Sequence, residues 1–157
     1  MLIVADSSAL IALATCEGLD ILLCVYEDLK VPQAVYDEVV APEKPQAIAL
    51  ASFLSGRVME VDTTHWVLAA GGLGRGELEA MALYKQLSAD ALLIDDRRAR
   101  LVAEHNQIQC IGALGVLLLA KQQGTIDRVA PYVEKLQLSS IHYGEALLSK
   151  VLKLAGE

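Results

Sequence analysis

Two short apolar runs, LIVA at Leu2 to Ala5 and ALLI at Ala91 to Ile94, limit what this chain of 157 residues can fold into. Neither run alternates polar with apolar. A strand built from either is therefore buried on both faces, the condition of a parallel sheet covered by helices. A hydrophobic content of 54% can fill such a core, and an aromatic content of 4% leaves little for exposed stacking platforms.

The segments between these runs carry helical patterns. After LIVA, Ser7-Ser8 leads into a helix from Ala9 to about Glu17, which Gly18 stops. A second helix is expected over Leu19 to Glu27, a strand over Leu29 to Val31, and a helix from Pro32 to Val40 with the proline as its first residue. Residues 46 to 55 read as helix and Arg57 to Val61 as strand. The stretch TTHWVLAAGGLGRG then forms a glycine-rich loop before a helix from Glu77 to Leu87. Beyond ALLI come a helix from Asp96 to His105, a strand from Ile108 to Ile111 and a helix from Gly112 to Gln123. Helices over Val129 to Leu138 and Ile141 to Leu154 close the chain. The alternation predicts one α/β domain over residues 1–157, a three-layer sandwich with a central parallel sheet of about four to five strands.

A net charge of −7 counts against a nucleic-acid binder, because phosphate binding needs clustered Lys and Arg. The objection weakens if several acids are metal ligands, since bound divalent ions reverse the local field. The N-terminus has no basic leader region and carries Asp6 inside its apolar stretch, so it does not read as a signal peptide. The run from Cys110 to Ala120 is too short to span a bilayer, and the expected location is the cytoplasm. Cys16, Cys24 and Cys110 form no CxxC pair and read as small core residues. His65, His105 and His142 are scattered without ligand spacing, which disfavours zinc.

In open parallel sheets the ligand site lies beyond the carboxyl ends of the strands. Asp6 follows LIVA and Asp95 follows ALLI. Taken alone, either aspartate is more simply a cap for the helix after it. Together, two such acids on neighbouring strands repel unless a cation or proton lies between them, which points to a hard metal ion. Glu77 stands in the first turn of a helix behind a glycine-rich loop, where the helix dipole favours an acid. Glu38 lies near a helix end that offers a carboxylate no such help, and its default reading is a solvated side chain. Asp37, Asp62 and Asp90 read as surface acids.

Four segments in order carry a family resemblance: VADSSALIALA, VPQAVYDEVV, GRGELEAMALYKQL and ALLIDDRRARLVAEHNQIQCIGALGVLLLAKQQG. They resemble the PIN-domain superfamily, in a VapC-like branch with a GxGE helix start, a strand ending in two acids, an RxAR helix and a GxLGxL turn. The resemblance is strongest over residues 2–124, with C-terminal helices over 125–157. It implies a PIN-like fold and a metal-dependent endoribonuclease acting on RNA through Mg²⁺ or Mn²⁺, with a toxin role beside a cognate antitoxin. It also implies a homodimer. The ligands it implies are Asp6, Glu38, Glu77 and Asp95, with Ser8, Asp96 and Arg98 as support or substrate contacts. One departure is Glu77, where many toxin-type members carry an aspartate. The Arg97, Arg98 and Arg100 cluster reads first as a solvated helix face. The competing reading is a catalytically silent interaction module. A phosphatase of the haloacid-dehalogenase type would need DxD at the first strand end, and here Ser8 stands two past Asp6.

Overall fold

The computed structural model describes residues 1–65 and 72–157. Its first half runs β1 (Leu2–Ala5), α1 (Ser7–Thr15), α2 (Leu19–Tyr26), β2 (Asp28–Pro32), α3 (Gln33–Val39), α4 (Ala47–Phe53) and β3 (Val58–Met59), then a single 3-10 turn at Thr63–His65. The second half runs α5 (Arg75–Leu87), β4 (Ala91–Leu93), α6 (Arg97–His105), β5 (Cys110–Ile111), α7 (Ala113–Gln122), α8 (Ala130–Gln137) and α9 (Glu145–Leu154).

The strands form one sheet in the order β3-β2-β1-β4-β5, and every pairing is parallel. Successive strand residues point to opposite faces. Ile3, Val4, Ala5, Leu92 and Leu93 are all fully buried, so helices cover both faces of the sheet, as the unalternated apolar runs require. Burying a side chain the size of Ile3 or Leu93 contributes about 1.5–3 kcal/mol. The α/β architecture with a central parallel sheet is thus as the sequence predicts.

Several boundaries differ from expectation, each for a local reason. Helix α1 begins at Ser7, directly after Asp6. Pro32 ends β2 in extended backbone (φ −75°, ψ 160°) and precedes α3 instead of opening it. Strands β3 and β5, at the two sheet edges, pair over only two residues each. Helix α9 starts at Glu145, not Ile141. The Ile141 N–H donates to Ser139 Oγ and the Tyr143 hydroxyl to Asp95, so the side chains of this connector are engaged outside any helix. Residues 66–71 of the expected glycine-rich loop lie outside the described residues. Among those described, no single helix is long and apolar enough to cross a membrane.

Candidate functional site

Strand β1 has β2 on one side and β4 on the other. The chain therefore leaves β1 toward one edge of the sheet and returns at β4 toward the other, which opens a crevice at their carboxyl ends. Of the two strand-end aspartates expected from the sequence, Asp6 lines this crevice. The Asp6 N–H donates to the Leu93 carbonyl at 2.8 Å, carrying the β1–β4 ladder one step into it.

Asp6 is 4% exposed, and with Ser7 it makes up the buried polar side chains among the described residues. It opens onto a cleft of about 270 Å³ that Glu38, Glu77 and Asp96 also line. Gly76 gives that cleft its room. A Cβ there would sit 3.3 Å from Glu38 Oε2 and 3.9 Å from Asp6 Oδ1, so a side chain would crowd both carboxylates.

Three of the four acids are held by neutral donors. Glu38 Oε2 accepts the Ser7 hydroxyl at 2.8 Å, and Glu77 Oε2 accepts the Gly74 N–H at 3.0 Å in a capping box at the start of α5. Asp96 caps α6 by accepting the Ala99 N–H at 2.9 Å. Asp6 bears the electrostatic consequence of the arrangement. Burial pushes its pKa from 3.8 up to about 6, the adjacent Ser7 N–H opposes the shift, and the charges of Glu77, Glu38 and Asp96 add to it.

Asp95 is turned away from this cleft. Its Oδ1 accepts the Ala113 N–H at 2.9 Å at the start of α7, and its Oδ2 accepts the Tyr143 hydroxyl at 2.6 Å. A Cβ on Gly112 would lie 2.6 Å from Asp95 Oδ1, so that approach requires glycine. The carboxylate brought to the cleft from this strand end is that of Asp96. Ser8 lines the cleft, whereas Arg98 lays its guanidinium over Gly72. Ser7 and Arg75 line it too and were not singled out from the sequence. The Ser-Ser and GRGE motifs contained both, without a local signal of which side chain would face inward. The three acids read as surface residues have partners elsewhere: Asp37 accepts from Gln33 Nε2, Asp62 accepts the Thr64 N–H, and Asp90 accepts the Leu2 N–H from the start of β1.

A family model described as a PIN domain (DUF3368) matches residues 2–157. The chain belongs to the PIN-domain family. PIN domains are generally nucleases, typically work with divalent metal ions, and point to RNA as the polymer bound. Neither the curated proteins nor the solved structures gave a significant match.

The chemistry of this donor set fits a hard divalent cation. Four carboxylates face one cleft, and among the described residues none is paired with a lysine or arginine. The one guanidinium lining the cleft, that of Arg75, is engaged by Glu79 at 2.7 Å. Oxygen-only donors select ions of the magnesium and manganese class. Among the described residues no three His, Cys, Asp or Glu side chains yet converge closely enough to form a ready metal centre.

Proposed function

We propose that this PIN domain is a divalent-metal-dependent endoribonuclease whose site is Asp6, Glu38, Glu77 and Asp96. One observation carries the reading: Asp6 is buried at a strand end, and its cleft companions are three further acids. A buried carboxylate gains nothing for the fold from like-charged neighbours, and it gains much from a cation they share. A bound Mg²⁺ or Mn²⁺ would supply a water of lowered pKa and would neutralise charge on the phosphate oxygens. Asp6 and Asp96 would hold the ion from the ends of β1 and β4. Glu38 and Glu77, each oriented by a single N–H or O–H donor, would complete the shell or orient the attacking water. Arg75, at the rim, would meet the phosphate backbone. By the same resemblance, the physiological setting we infer is a toxin held by a cytoplasmic antitoxin partner and acting as a homodimer.

A catalytically silent module is favoured by the separation of the acids, since none of the described carboxylates forms a ready trio. A cation bound among the four acids would offset their mutual repulsion and let them draw closer. The two readings part in one experiment. The purified protein is titrated with Mn²⁺ on single-stranded RNA, beside Asp6→Asn and Asp96→Asn. Metal-dependent cleavage lost in both variants supports the nuclease; RNA left equally intact, or cleaved equally, by all three proteins overturns it.

A further inference from the structure

Asp95 is a junction between segments distant in sequence. Its two oxygens take one bond from the start of α7 and one from the connector between α8 and α9, the latter reaching back across 48 positions of sequence. Each oxygen thereby accepts one bond, and the 2.6 Å bond from Tyr143 is of the short, charge-assisted kind. The Tyr143 phenol is desolvated and faces the Asp95 charge, and both hold its proton in place as a donor. Asp96 follows with extended backbone (φ −61°, ψ 122°), so its carboxylate leaves the chain on the side opposite to that of Asp95. Whatever anchors Asp95 therefore sets the angle at which Asp96 enters the cleft.

We propose that Tyr143 is a positioning residue of the acidic site: acting through Asp95, it fixes the β4–α6 turn and with it the direction of the Asp96 carboxylate. The inference rests on the metal-site reading above. It gives the C-terminal connector a task in a site otherwise built from the first 96 residues.

The test is a Mn²⁺ binding isotherm on the full chain, read without RNA. Tyr143→Phe keeps the ring and removes the donor. It should weaken Mn²⁺ binding by about three- to tenfold, below the usual effect of a group bonded directly to a ligand because it acts one residue removed. Leu148→Ala, which loosens α9 without touching Asp95, should bind Mn²⁺ as the unaltered chain does. In an Asp95→Ala background, which removes the acceptor, Tyr143→Phe should add nothing further. Equal binding by Tyr143→Phe and the unaltered chain overturns the positioning role and leaves the metal site standing. Equal weakening by Leu148→Ala reduces Tyr143 to a structural contact and overturns it as well. No Mn²⁺ binding by the unaltered chain overturns the metal-site reading, and this inference with it.

Discussion

Ser7 donates its hydroxyl to Glu38 Oε2 at 2.8 Å, tying the start of the helix after β1 to the end of the helix after β2. The bond explains how a glutamate with no favourable helix dipole comes to face a buried aspartate. Without it, Glu38 would swing into solvent, away from the Asp6 charge that repels it. Ser7→Ala is expected to lower kcat/KM for Mn²⁺-dependent RNA cleavage by about tenfold, the usual scale for a group that orients a metal ligand. Steady-state kinetics check this, and an unchanged kcat/KM would remove Glu38 from the site.

The raised pKa of Asp6 makes a prediction about the metal-free fold. An acid whose folded-state pKa lies above its unfolded value destabilises the fold when ionised. That cost is complete above about pH 6 and vanishes as pH falls below 3.8. A shift of this size corresponds to about 2–3 kcal/mol. In the presence of a chelator, Asp6→Asn should therefore be more stable than the unaltered chain at pH 8 by roughly that amount, with the gap closing near pH 4. Added Mn²⁺ should narrow the gap at pH 8 by stabilising only the chain that keeps the carboxylate. Chemical denaturation across pH with and without Mn²⁺ tests both, and a gap that does not depend on pH would contradict them.

Asp96 caps α6 and, on the proposed reading, also serves the metal site; the two tasks separate by substitution. Asparagine caps a helix about as well as aspartate, so Asp96→Asn should keep the Ala99 N–H bond and a melting midpoint close to that of the unaltered chain. It removes the charge facing Asp6, and should cut kcat by about 100-fold or more, the scale on which losing an electrostatic group costs catalysis. A variant that melts early with normal kcat would make Asp96 a cap and nothing else.

Which of two adjacent acids enters the cleft was not legible in ALLIDD. The pleat decides it. Ala5 pairs with Leu93, so Asp6 is level with Ile94, and same-side positions recur every second residue. Asp96, two beyond Ile94, falls on the side of Asp6, and Asp95 on the other. That register is a relation between strands more than 80 residues apart, and no local pattern encodes it. Asp6 was legible because a charged residue interrupts a doubly buried apolar run, and Glu77 because glycines open its helix. Glu38 was legible only through resemblance, since the donor that holds it comes from a different helix. Tyr143 fell inside an expected helix, and its bond to Asp95 is visible only in the folded chain.

If the proposed nuclease reading holds, a cleft of four acids must admit a polyanion, and Arg75 bears on that problem. Its side chain is 85% exposed at the first residue of α5 and is steadied by Glu79 four residues on. A metal ion cancels charge at the reacting phosphate, but neighbouring phosphates need a cation at the rim, and a guanidinium meets their oxygens two at a time. Arg75→Gln should therefore raise KM for RNA while leaving kcat at saturating substrate within about twofold, because a contact made equally before and during reaction affects binding alone. It should also lower the slope of log affinity against log salt by about one, the signature of one lost phosphate contact. Binding titrations in the Asp6→Asn background, expected to leave RNA uncut, at several salt concentrations measure that slope. A slope unchanged by Arg75→Gln would mean that the RNA backbone passes the cleft elsewhere.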